Sequence, residues 1–158
     1  MKKQKLISVF FLFFVCMILF SCAGTMPKAD LALDQRAKAL VVPEDKALVY
    51  VVRPTSYGFA VGMDLFCDNK KAGTTTGQRY FYMLLDPGRH QFMSKAENKS
   101  EQILNLKAGR IYYLEQQVKM GLLKARNNLV LLSAPEGREK LEKCHLIKEF
   151  SSTGDSIQ

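Results

Sequence analysis

The chain has 158 residues, a formal net charge of +8 and four cysteines. If its first 21 residues are a removable leader, the remaining 137 suit one domain with its own core. Lys2, Lys3 and Lys5 leave with that leader and no acid does, so 20 basic residues face 15 acidic ones. The resulting +5 argues against a nucleic-acid partner and suits anionic lipid headgroups or other anionic envelope polymers.

The first element in chain order is that leader. Lys2, Lys3 and Lys5 form a basic region, Leu6 to Phe20 is a run of fifteen apolar or nearly apolar residues, and Ser21, Cys22, Ala23 and Gly24 follow. These are the three parts of a secretory signal peptide. A spanning helix needs roughly 20 apolar residues. Fifteen falls short, although an uncleaved N-terminal anchor stays open because no charge intervenes between Lys5 and Lys28. Leu19-Phe20-Ser21-Cys22 resembles the lipobox of bacterial lipoproteins, with an aliphatic residue three before the cysteine and a small one just before it. The resemblance implies that Cys22 is joined to diacylglycerol, that residues 1–21 are cut away, and that the new amine is acylated. Each buried CH₂ contributes about 0.8 kcal/mol, so several acyl chains anchor firmly where one does not. Ala23 and Gly24, in place of an acid after the cysteine, resemble the sorting signal of outer-membrane lipoproteins facing the periplasm.

Residues 22–46 read as an acylated N-terminus and linker rich in small and polar residues. Within it, Asp30 to Leu40 suits a short helix with Asp30 as N-cap and Leu33, Ala37 and Leu40 on one side. The domain is expected over 47–147. Strands are predicted at 47–54, 63–69, 79–85, 90–96, 101–109, 110–120 and 127–133. Asp86-Pro87-Gly88-Arg89 reads as a β-turn with Pro and Gly in the central positions. Residues 134–144 suit a short helix with Pro135 early, and 148–158 read as a disordered tail. About seven short strands without β–α alternation indicate a single antiparallel β-sandwich with a short C-terminal helix.

ALVYVVRP, MDLFCDNKKAG, LLDPGRHQF and LKAGRIYYLEQQVKMG occur in the order seen in a family of bacterial lipoproteins described only as a domain of unknown function. The pieces from Asp64 to Phe92 also resemble PEGA-type repeats, in which a strand ends in Asp-Gly-Lys-Lys and a later turn reads Pro-Gly-Lys-His. Those repeats resemble transthyretin-like sandwiches. Asn69 replaces the usual Gly after Asp68, and Asn tolerates the left-handed conformation the turn needs. The resemblance covers about 47–147 and implies a fold and a compartment but no reaction.

The chemistry-bearing residues are sparse. Cys67 and Cys144 would close one disulfide in an oxidising compartment or stand as two reduced, buried thiols, and both readings are open. Cys67, His90, Cys144 and His145 show no CxxC, HxH or HExxH spacing, so neither a metal nor a cofactor is expected. No nucleophile elbow or Gly-rich phosphate loop appears, and no enzyme activity is expected. Two surfaces could bind. Tyr80, Tyr82 and Tyr112 either edge the sandwich or form an aromatic platform. Lys119, Lys124 and Arg126 either flank a hairpin whose leucines pack inward or form a basic, apolar-tipped contact.

The sequence thus leads to a non-catalytic envelope lipoprotein, a lipid-anchored sandwich that binds or scaffolds an envelope protein or a glycan. A peptidoglycan-binding module and an inner-membrane protein with an uncleaved anchor compete with it, and an envelope enzyme does so more weakly.

Overall fold

The structure is a computed structural model that describes residues 27–119 and 126–148. Two sheets face each other. The first has five strands in the order β8-β7-β1-β4-β9, and the second has four in the order β3-β2-β5-β6. The strands are β1 (Ala47–Arg53), β2 (Met63–Cys67), β3 (Lys70–Thr75), β4 (Arg79–Leu85), β5 (Gly88–Lys95), β6 (Lys99–Leu106), β7 (Ile111–Lys119), β8 (Arg126–Leu132) and β9 (His145–Leu146). Helices α1 (Leu31–Lys38) and α2 (Ala134–Glu142) complete the described elements.

Every residue of β1 is buried. Its sequence, ALVYVVR, is apolar at nearly every position because both faces of this central strand are covered. Ala47, Val49 and Val51 point between the sheets, where they meet Leu65, Phe81, Met83, Phe92, Leu114 and Leu129. Leu48, Tyr50 and Val52 point the other way and pack with Tyr80, Tyr113, Leu141 and Leu146 in a second apolar layer that includes Ala37 of α1. Each fully buried Val, Leu, Met or Phe side chain among these contributes about 1.5–3 kcal/mol. The molecule is therefore a sandwich with a third layer on one side.

The observed strands depart from an all-antiparallel reading. β1 pairs in parallel with β7, and β4 in parallel with β9. A parallel partner requires a long crossover, and the chain makes it by building the whole second sheet, and β4 of the first, between β1 and β7. Two strands lie outside the sequence expectation. β3 begins with two exposed lysines and contains Gly73, so it lacks the apolar alternation of a recognisable strand. β9 has only two residues. Asp68 and Asn69 both have positive φ, 48° and 66°, and form the two-residue turn between β2 and β3. The Asn69 expectation thus agrees with the backbone. Pro87-Gly88 carries the chain from the first sheet into the second, with Gly88 at φ 138°.

The largest difference concerns the linker. From Pro27 onward it belongs to the domain. Lys28 bridges to Ile147, and the Ala29 N–H donates to the Leu146 carbonyl. Asp30 caps α1 by accepting from Ala32 N–H at 2.8 Å. The buried face of the helix carries Asp34 and Ala37, whereas Leu33 is exposed. The sequence favoured Leu33 for its apolarity. Asp34 takes the inward place because its carboxylate accepts the Leu146 N–H at 2.7 Å and pairs with Lys38 at 3.1 Å. A buried carboxylate with those partners avoids the penalty of an unpaired one.

Candidate functional site

Two features stand out at opposite ends of the sandwich. The first is a cleft of about 210 Å³ at the Leu85 end, lined by Lys46, Cys67, Asp68, Lys70, Lys71 and His90 among others. Its polar centre follows from strand register. Cys67 pairs with Phe92, so His90, two residues earlier on β5, lies diagonally across on the same face. Asp68 then enters the turn, and its carboxylate reaches back over the start of β5. Oδ1 accepts the Gln91 N–H at 2.9 Å, and Oδ2 lies 2.6 Å from His90 Nδ1. His90 Nε2 is 2.9 Å from the Asp86 carbonyl oxygen and donates to it. The Cys67 thiol points at Asp68 Oδ2, 3.7 Å away.

The electrostatics match this geometry. Partial burial opposes ionisation of Asp68, but the Gln91 amide and the His90 ring overcome it and hold the carboxyl below its ordinary value. That stabilisation is present above the unfolded carboxyl value of about 3.9 and is lost as pH falls through the folded one. Burial first, then the neighbouring Asp68 charge, push the Cys67 thiol up to about 12. A thiol so protonated is a poor nucleophile at neutral pH.

The second feature is the β1–β2 loop. Arg53 is fully buried, and its guanidinium donates to the carbonyls of Val61, Tyr57, Gly58 and Thr75. Five donors in a planar fork suit such a cluster of acceptors. The loop so pinned leaves Tyr57, Phe59 and Val61 exposed, at 55%, 50% and 39%. β7 runs parallel to β1 and leaves the sheet at the same end, where Val118 approaches Gly58. Lys119 and Arg126 face each other across the β7–β8 pair there, both exposed. Lys124 lies outside the described residues.

The remaining expected site residues fare differently. Cys22 lies outside the described residues. Tyr80, Tyr82 and Tyr112 form no platform. Tyr80 is fully buried, its hydroxyl donating to the Asp34 carbonyl at 3.1 Å. Tyr82 packs on the same helix-covered layer, while Tyr112 packs between the sheets and accepts the Lys107 N–H. Adjacent strand positions alternate faces, and α1 covers the face that the sequence left open.

A Cys67–Cys144 disulfide is likewise excluded. Cys67 belongs to the layer between the sheets, and Cys144 to the layer beneath the helices on the far side of the five-stranded sheet. Both are free and buried. Burial, foremost, pushes each thiol up to about 12. We expect neither to react with a maleimide in the native protein at pH 7 and both to react after unfolding without reductant. Peptide mapping checks this, and a residue 67–144 crosslink in the unreduced digest would overturn it.

The profile of a family described as "Protein of unknown function (DUF2846)" matches residues 43–128, just over half of the chain. The chain belongs to the DUF2846 family. The DUF2846 match contains Arg53, the exposed loop and every residue of the Cys67–Asp68–His90 group, while α1, α2 and β9 lie outside it. The chain is also similar to an uncharacterized protein of Haemophilus influenzae. They are 28% identical over 134 residues, 84% of this chain and 79% of the relative. Among the described residues no helix is long and apolar enough to cross a membrane.

Proposed function

We propose that this DUF2846 protein is a lipid-anchored, non-catalytic component of the bacterial envelope that holds a protein partner at the periplasmic face of the outer membrane. The observation that carries the anchor is the Leu19-Phe20-Ser21-Cys22 sequence at the end of a fifteen-residue apolar run. Structure adds a constraint on reach. The Pro27 carbonyl accepts the Lys148 N–H, and Cys22 stands five residue steps before Pro27, a reach of at most about 18 Å. A sandwich on so short a tether stays close to the headgroups.

The contact surface we assign is the pinned loop with Tyr57, Phe59 and Val61, flanked by Lys119 and Arg126. Exposed aromatics on a fixed backbone lose little entropy on binding. The flanking cations favour a partner with an apolar patch beside acidic residues. The backbone supports an orientation. β4 runs antiparallel to β1, β9 follows β4, and Lys28 runs against Ile147, so the chain enters at Pro27 from the Leu85 end. The loop lies at the Arg53 end, away from the tether. Burial of Tyr80 removes the sequence argument for a glycan platform.

Mass spectrometry of the N-terminal tryptic peptide from membranes tests the anchor. The expected species is residues 22–28, CAGTMPK, with an acyl mass on Cys22. A chain that keeps residues 6–21 with an unmodified Cys22 would overturn it and make the segment a membrane anchor. For the loop, in-membrane photocrosslinking from residue 59 should capture a protein. Capture of glycan strands would replace the partner class.

A further inference from the structure

We propose that Cys67, Asp68 and His90 form a binding site for a divalent transition ion of the zinc class. The inference is independent of the anchor and of the loop.

Three ligand atoms of three kinds converge there. The Cys67 sulfur, an Asp68 carboxylate oxygen and a His90 ring nitrogen all lie within 4.8 Å of one another. Zinc takes that ligand set, with bonds of about 2.3 Å to sulfur and about 2.0–2.2 Å to nitrogen and carboxylate oxygen. A thiolate with imidazole selects it over magnesium or calcium, which prefer all-oxygen shells.

The surrounding hydrogen bonds are those of a prepared site. A ligating imidazole commonly donates its second N–H to a backbone carbonyl, which fixes the tautomer and aims the other nitrogen. His90 Nε2 donates to the Asp86 carbonyl in this way, leaving Nδ1 to face the group. Asp68 is likewise divided: Oδ1 is occupied by the Gln91 amide, and Oδ2 faces His90 and the Cys67 thiol. The Asp68 backbone is fixed as well, since its N–H donates to the Gln91 carbonyl and its φ is 48°. Without a metal, one proton lies between Nδ1 and Oδ2, 2.6 Å apart, and another remains on the sulfur. The ion takes the place of both, releasing two protons to solvent, and tetrahedral geometry with bonds of about 2.0–2.1 Å widens the nitrogen–oxygen separation from 2.6 Å to about 3.3 Å. A fourth position opens toward the cleft, where the Lys46, Lys70 and Lys71 stems line the wall. Water or a small anion would complete a tetrahedron there.

The bland alternative is a turn lock in which Asp68 merely ties the β2–β3 turn to β5. It explains the Gln91 and His90 bonds. It does not require the thiol to face the same oxygen.

Cobalt(II) binding to the full-length chain in detergent separates the two. Wild type should develop the near-ultraviolet thiolate-to-cobalt band and tetrahedral visible bands, and zinc should displace them. Cys67→Ala should abolish the thiolate band, and Asp68→Asn or His90→Gln should weaken binding about 100-fold or more, the upper end of what loss of even an outer-shell partner costs. Asn keeps the turn, because it tolerates positive φ and can still accept from Gln91. Cys144→Ala keeps Cys67 and should bind like wild type. Thermal melts without metal report whether each variant folds. Absence of the band in folded wild type, or its survival in Cys67→Ala, would overturn the site. Binding by wild type and Cys144→Ala, together with its loss in folded Asp68→Asn, would support it.

Discussion

Arg53→Met is expected to destabilise the protein by about 2–4 kcal/mol and to release the loop between β1 and β2. The wild-type guanidinium serves four carbonyl oxygens from a position with no exposed surface. Methionine fills much of the same volume but donates nothing. A buried acceptor left unpaired costs about 1–3 kcal/mol. The Thr75 carbonyl is deep, whereas those of Tyr57 and Gly58 belong to a loop that can turn to water, so the total falls below four full penalties. Urea unfolding should show a lower midpoint at an unchanged slope. Chymotrypsin should cut at Tyr57 or Phe59 in the native variant and spare wild type.

Arg53→Lys should fall between the two, since a single ammonium reaches fewer carbonyls than the fork. An Arg53→Met midpoint matching wild type, with the loop still protected, would show that packing alone holds the loop.

How far these features could be read from residues alone depends on how local their causes are. The β1 run, the left-handed Asn69, the Asp30 cap and α2 were legible because each depends on neighbours in sequence. Asp34 was not, because its partner, the Leu146 amide, is 112 residues away. Cys67 and His90 were dismissed as metal ligands because no linear spacing joins them, yet the β2–β5 register does. Asp64 to Asp68 read as alternating strand, which hid the positive φ that swings Asp68 over His90. The tyrosines misled for a related reason. Alternation puts Tyr112 between the sheets and Tyr113 on the other side, but nothing local says that helices cover the second face. A central strand buried on both sides, ALVYVVR, was the available sign of a third layer. Arg53 at its end was a further sign, since a charged residue closing such a strand must find buried partners.

Gly137→Ala carries the clearest reversal of a general rule. In a helix interior alanine is normally better than glycine by about 0.8–1.0 kcal/mol. Gly137 sits within α2, with its N–H donating to the Ser133 carbonyl, so that gain is formally on offer. It is outweighed by contact. An added Cβ would lie 2.2 Å from Cγ of Tyr113 and 2.5 Å from its Cβ, far inside any real carbon–carbon approach. The ring cannot step aside freely, since it stacks on Tyr50 with centroids 5.5 Å apart, and Tyr50 is held by its bond to the Ala37 carbonyl. The helix cannot lift alone either, because Lys140 pairs with the buried Glu115 at 2.8 Å and Leu141 is buried beneath it. Overpacking of this kind costs about 1–3 kcal/mol and at times more. With the strain centred on a methyl against a ring, we expect a net loss of about 2–3 kcal/mol, read as a lower urea midpoint and faster exchange of α2 amides. The double variant Gly137→Ala, Tyr113→Leu separates steric from other causes. Leucine removes the ring at a cost of its own, and the alanine methyl should then be tolerated, so the pair should cost less than the sum of the singles by at least about 1 kcal/mol. Additive losses would mean that α2 already yields to the methyl without Tyr113. A single variant as stable as wild type would mean that the helix does not lie this close to β7.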